Sequence, residues 1–217
     1  MKMLLKLILK PTARRVLRSH LRPQEVERVW QDTWRTYDSL VPTIPPAPTV
    51  GARLMLRLAA CGIGLYRALV RMNIAPEEAT RLVSTAAWLV YEKMAVAPRV
   101  LAALATRDPL ARLKVATDLF RRFPFGPPSY RMEDVAAGAD VVAFDVLRCP
   151  VAEFFRREGH PELCVGTFCN LDFPLARMWG GTLERNHTIA GGAERCDFRW
   201  RTLTGTTRER SVSGARR

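Results

Sequence analysis

The stretch Phe123–Ser129, FPFGPPS, puts three prolines and a glycine into seven residues. No helix or central strand can run through it, because proline lacks a backbone N–H and its ring clashes with the preceding turn. The chain is therefore divided there, and the hydrophobic patterns differ on the two sides. Before the break, apolar residues recur at three-and-four spacing, as in Val26, Val29, Trp30, Thr33, Trp34 and Tyr37. That is the signature of amphipathic helices. After it, Asp140–Leu147 (DVVAFDVL) is β-branched and aromatic and reads as a strand.

Smaller punctuation places the elements. Residues 1–40 read as helices, with Pro23 in a first turn. Val41–Val50 (VPTIPPAPTV) is a proline-rich connector. A helix follows over about Arg53–Met72. Asn73–Pro76 ends it and opens another, whose pattern lasts to about Lys93. Asp108–Pro109 is a cap and a first-turn proline for a helix to about Arg122. Beyond the break, Pro150–Glu158 and Pro161 to about Asp172 read as helices. Leu183–Ala190 and Ala193–Arg201 read as a hairpin around Gly191-Gly192. The expected fold is α+β: a helical N-terminal half packed on a small C-terminal antiparallel sheet with helices. The expected domains are a helical arm and connector over 1–50, an α+β domain over 51–201 (helical over 51–125, mixed over 130–201), and a basic tail over 202–217.

The net charge of +13 suits an anionic partner. No zinc-finger or RNA-recognition signature accompanies it, which argues against nucleic acid. The start, MKMLLKLILK, alternates lysines with apolar residues. Lys6 breaks the run a signal peptide needs. The segment reads as a helix docked on its own protein, with peripheral membrane contact as the alternative. Five cysteines, an odd number in a chain of 217 residues, argue against a secreted disulfide framework and for reduced thiols in a cytoplasm. The sequence leaves the oligomeric state open.

A two-residue turn at Gly191-Gly192 sets a register. It places His187 across from Cys196, Asn186 across from Asp197 and Glu184 across from Arg199. Opposed side chains lie ~5 Å apart at Cβ, so His187 could draw the proton from Cys196 and leave a thiolate nucleophile. A buried structural cysteine is the plainer reading. On a continuous helix from Pro161, Glu162, Cys169, Asp172 and Phe173 share one broad face and Cys164 points away. Pro174 should end or kink that helix near Asp172 and expose its carboxylate. Cys149, Cys164, Cys169 and Cys196 are also the candidate ligands for a metal or iron–sulfur cluster. Their spacing is not the usual one for such sites, so no cofactor is expected.

Two segments carry a family resemblance: RCPVAEFFRREGHPELCVGTFCNLD from Arg148 and NHTIAGGAERCDFRW from Asn186. Both resemble the L-2-amino-thiazoline-4-carboxylic acid hydrolase family. The helical pattern of Leu54–Val83 is the kind of region that precedes them there, so the resemblance covers Leu54–Trp200. The order P-E-L-C, a later thiol and a C-D-F strand is also similar to 4-vinyl reductase type small-molecule-binding domains. His187 lies outside the family's pattern.

The resemblance implies hydrolytic opening of a cyclic amidine, as in converting 2-aminothiazoline-4-carboxylate to N-carbamoylcysteine. On that reading Cys169 or Cys196 is the nucleophile, with His187 beside the latter. Asp172 is the general base or holds a protonated ring nitrogen. Arg185 and Thr188 bind the substrate carboxylate, and Asp197 and Glu162 complete the candidate substrate-binding set. Two rival readings remain: a non-catalytic small-molecule-binding module, and a metal or iron–sulfur protein.

Overall fold

The computed structural model describes residues 2–203. Five helices come first: α1 (Lys2–Leu17), α2 (Pro23–Leu40), α3 (Val50–Arg71), α4 (Pro76–Ala105) and α5 (Pro109–Arg122). After the proline-rich break come β1 (Arg131–Asp134), β2 (Val141–Arg148), α6 (Pro150–Arg157), α7 (Pro161–Gly166), α8 (Asp172–Met178), β3 (Gly181–Glu184) and β4 (Cys196–Thr202). The strands form one antiparallel sheet in the order β1-β2-β4-β3. The fold is α+β, as the pattern change at Phe123–Ser129 implies. Beyond Thr202 and Leu203, the expected basic tail lies outside the described residues.

Proline places most of the helix starts. Pro23, Pro76, Pro109, Pro150 and Pro161 each open a helix, where the missing N–H costs nothing and the fixed φ is already helical. Side-chain caps add to this: Asp108 accepts from the Ala111 N–H at 2.7 Å and Thr49 from the Ala52 N–H at 3.2 Å.

α3 is the central rod. Leu56, Ala59, Ala60 and Ile63 on it are fully buried, and it packs against α2, α4 and α6. Gly64 lets α2 approach, since a Cβ there would lie 2.7 Å from the Thr33 carbonyl oxygen. Gly51 does the same for Pro124 of the break, which therefore lies across the start of α3. Trp34 and Tyr37 of α2 belong to the same buried cluster as Phe144 and Trp200 of the sheet.

Three elements besides the hairpin differ from the sequence expectation. α4 does not stop near Lys93 but continues to Ala105 through Pro98, because Ala95, Pro98 and Ala102 form a buried face. The Trp179 indole N–H also ties α4 down, donating to the Ala95 carbonyl at 3.1 Å. β1 was not anticipated; it is four residues long and mostly exposed, so it carries little hydrophobic signal. The helix expected over Pro161–Asp172 is broken at Thr167, whose backbone leaves the helical region (φ −115°, ψ −88°). A single 3-10 turn, Cys169–Leu171, then leads into α8. Pro174 sits in the first turn of α8 rather than ending a helix.

Candidate active site

The sheet, α4, α5 and the broken α7–α8 segment enclose a cavity of about 110 Å³. Most of its wall is aromatic or aliphatic, including Phe120, Phe125, Phe144, Phe198 and Trp200. The chemistry is concentrated on one side, where Cys149, Cys164, Cys169, Asp172 and Arg185 meet the hydroxyl-bearing Tyr91 and Tyr130.

The break at Thr167 builds this side. On an unbroken helix Cys164 and Cys169 would diverge. The turn back toward α8 instead brings their sulfurs to 4.0 Å. Asp172, expected at an exposed helix end, is largely buried: Tyr91 Oη donates to its Oδ1 at 3.3 Å and Arg185 Nη1 to its Oδ2 at 2.8 Å. The same Nη1 donates to the Cys169 carbonyl at 2.8 Å, so Arg185 fixes both candidate groups. The Arg185 side chain is only 3% exposed, and its guanidinium lies 5.0 Å from the Phe173 ring centroid and 5.4 Å from that of Phe198.

Burial pushes the Asp172 carboxyl up to about 6, against the charge of Arg185 and the Tyr91 hydrogen bond, which both favour the carboxylate. The thiol of Cys164 hydrogen-bonds the Cys169 sulfur and holds Cys169 below the ordinary thiol value, with the Arg185 charge helping and burial opposing. The Cys164 thiol rises well above its ordinary value, first through that same hydrogen bond and then through burial. Burial alone dominates at Cys149 and Cys196, raising the first and pushing the second up to about 12. Cys169 is thus the one thiol in this group biased toward the thiolate.

Three buried polar atoms of the cavity-lining residues have no hydrogen-bond partner among the described residues: Tyr130 Oη, Arg185 Nε and Trp200 Nε1. Buried donors are normally satisfied, so orphans at a cavity mark where a polar ligand would be held.

The remaining candidates are placed elsewhere. The register expected for the hairpin holds where strands exist, with Glu184 opposite Arg199. β3 ends there, however, and residues 185–195 leave the sheet. Asp197 is the physical cause. Its Oδ1 accepts the N–H groups of Asn186 (3.1 Å) and His187 (2.6 Å), replacing ladder bonds with side-chain bonds. The His187 ring is exposed and faces Asp197, with Nδ1 3.3 Å from Oδ2. The sulfur of Cys196 accepts instead from the Ile189 N–H at 3.2 Å. The expected His187–Cys196 pair therefore does not form.

Cys196 is buried behind the cavity rather than lining it. Thr188 is a turn residue, its hydroxyl accepting from the Gly191 N–H at 3.0 Å. Glu162 is exposed on α7, and neither it, Thr188 nor Asp197 reaches the cavity wall. Among the described residues, no three His, Cys, Asp or Glu side chains are grouped to hold a metal ion.

Sequence reasoning missed Tyr91, Tyr130 and the inward turn of Cys164. Tyr91 looks like any core position of an amphipathic helix. The signal for Cys164 was Gly166, a glycine inside a helical pattern that can mark its end.

No curated protein matches the chain. Among solved structures, the crystal structure of Fe(II) unliganded H-NOX protein from K. algicida is similar at a TM-score of 0.41 and 8% identity, covering 89% of this chain and 94% of that one. So loose a likeness bears on neither ligand nor chemistry. The sequence model of L-2-amino-thiazoline-4-carboxylic acid hydrolase matches residues 53–200. That match runs from the start of α3 into β4 and takes in every element that walls the cavity, and the chain belongs to the L-2-amino-thiazoline-4-carboxylic acid hydrolase family.

Proposed function

We propose that this protein opens the ring of a small cyclic amidine, or a related heterocycle bearing a carboxylate, with Cys169 as nucleophile and Asp172 as proton carrier. The observation that carries the reading is the convergence of Cys169, Cys164, Asp172 and Arg185 on one cavity wall. Cys169 is preferred to Cys196 because it lines the cavity and its thiol is shifted toward the thiolate.

For a 2-aminothiazoline the steps balance with one water. The substrate enters as the amidinium, its ring N–H toward the Asp172 carboxylate. The Cys169 thiolate adds to the amidine carbon, and the ring C–S bond breaks. The departing sulfur takes a proton from nitrogen, leaving an isothiourea on Cys169. Asp172 then draws a proton from water and passes it to nitrogen as the oxygen adds to the same carbon. The bond to Cys169 breaks, the thiolate is restored, and a carbamoyl product with a free thiol leaves as one proton goes to solvent. The Nε–Nη2 edge of Arg185 is the fork for the substrate carboxylate, since Nε has no partner among the described residues and Nη2 has only a 3.5 Å contact to Asn170.

A second cavity of about 80 Å³, lined by Trp30, Trp34 and Leu58 among others, shares Met55, Tyr91 and Phe168 with the first. The direct test supplies 2-aminothiazoline-4-carboxylate and substituted cyclic amidines and follows the new thiol with a thiol reagent. Release of one thiol per ring opened, lost in Cys169→Ala, is expected. Saturable binding with no turnover for any of them would leave the non-catalytic binding module as the better reading.

A further inference from the structure

The outer surface of α1 and the end of α4 expose eight large apolar side chains. On α1, Met3, Leu4, Leu7 and Ile8 are exposed, Met3 at 82% and Leu7 at 74%. On α4, Val96, Val100, Leu101 and Leu104 are exposed, Leu104 at 80%. Between Met94 and Thr106 the only charged residue is Arg99.

The two helices that carry these groups pack against each other. Val16 and Leu17 share a buried cluster with Leu82 and Val83, while Leu9 and Ala13 line one small cavity with Val90 and Met94. α1 therefore runs toward its start as α4 runs toward its end. The opposite side of α1, with Leu5, Ala13, Val16 and Leu17, is buried in the protein's own core. The first helix is docked, as its sequence suggests, and still presents a second apolar face outward.

We infer that this α1–α4 face docks on an anionic lipid bilayer surface. Charge selects that occupant. Lys93, Arg99 and Arg107 on or just beyond α4, and Arg15 and Arg18 on or just beyond α1, are exposed and make no ion pair among the described residues. A two-fold contact between copies would set these cations against one another. Anionic headgroups accept them while the apolar side chains enter the acyl boundary. No described helix is long and apolar enough to cross a membrane, so the face lies on the bilayer.

The test is flotation of the full chain with vesicles of phosphatidylcholine alone and with phosphatidylglycerol added, alongside light scattering of the free protein. Binding to the anionic vesicles only is expected. The double variant Leu7→Glu, Leu104→Glu should weaken it ~10-fold or more, and Arg99→Gln or Arg107→Gln should weaken it roughly fivefold each. All four positions are exposed, so the helical circular dichroism should not change. Failure to float with either vesicle overturns the inference. So does a dimer in solution that the Leu7→Glu, Leu104→Glu pair splits, because a second copy would then own the face.

Discussion

The sulfurs of Cys164 and Cys169 stand 4.0 Å apart although five positions separate them in a segment that begins as a helix. The contact exists because the helix stops at Gly166 and turns at Thr167. It joins the two sulfurs by a hydrogen bond, and the Arg185 charge beside Cys169 favours the thiolate there. That bias distinguishes Cys169 from the other four cysteines.

Thiol reactivity should follow this order. With iodoacetamide at neutral pH, peptide mapping should find Cys169 labelled first and Cys61, Cys149 and Cys196 nearly inert, since burial raises all three. Cys164→Ala removes that hydrogen bond and should slow labelling of Cys169 by roughly tenfold, the equivalent of one lost hydrogen bond to a charged group. Uniform labelling of all five thiols in native protein would contradict the assignment.

Asp172 sets a pH dependence with a definite sign. Its folded-state value is raised from 3.8 to about 6, so the folded protein holds that proton more tightly than the unfolded chain. The group costs nothing below the unfolded value. Its penalty grows as pH rises from there and is complete above about 6, on the order of 3 kcal/mol. Comparing urea unfolding of the wild type and Asp172→Asn, the gap between them should move toward the variant from pH 4 to pH 8 by up to about that amount. On the proposed mechanism, with Asp172 as the base of the second step, kcat should show an acid limb near 6. Tyr91→Phe should move that limb upward, because it removes a hydrogen bond that favours the carboxylate.

His187 should be dispensable. Its ring is exposed and distant in role from Cys196, so His187→Ala should keep turnover within about twofold and change stability by no more than ~0.5 kcal/mol. Asp197→Ala should cost roughly 1–2 kcal/mol, because it strips the acceptor from two backbone N–H groups. Thermal unfolding of both variants separates the cases.

Gly64→Ala should destabilise by roughly 1–3 kcal/mol, since the added Cβ would lie 2.7 Å from the Thr33 carbonyl and force α2 away from α3. A shift in urea midpoint with unchanged slope is the expected signature.

What could be read from the sequence followed local chemistry. The first-turn prolines at 23, 76, 109, 150 and 161 placed five helix starts, and the Gly191-Gly192 turn placed Glu184 opposite Arg199. The same register failed a few residues on, because one carboxylate, Asp197, outcompetes the strand ladder for the N–H groups of Asn186 and His187. The candidate site was half legible for a similar reason. Cys169, Asp172 and Arg185 were named, but a continuous helix sent Cys164 the wrong way and left Asp172 in solvent. Tyr91 and Tyr130 were illegible: helical periodicity and a proline-rich break both mark burial, and neither says which buried residue borders a hollow.

The central claim is that Cys169 bonds covalently to the amidine carbon. Rapid acid quench of the enzyme with a cyclic amidine it turns over, followed by peptide mass spectrometry, tests this directly. An adduct of substrate mass confined to the Cys169 peptide, absent in Cys169→Ser and present in Cys196→Ser, is the predicted result. Undiminished turnover by Cys169→Ser with no adduct on any cysteine would contradict it.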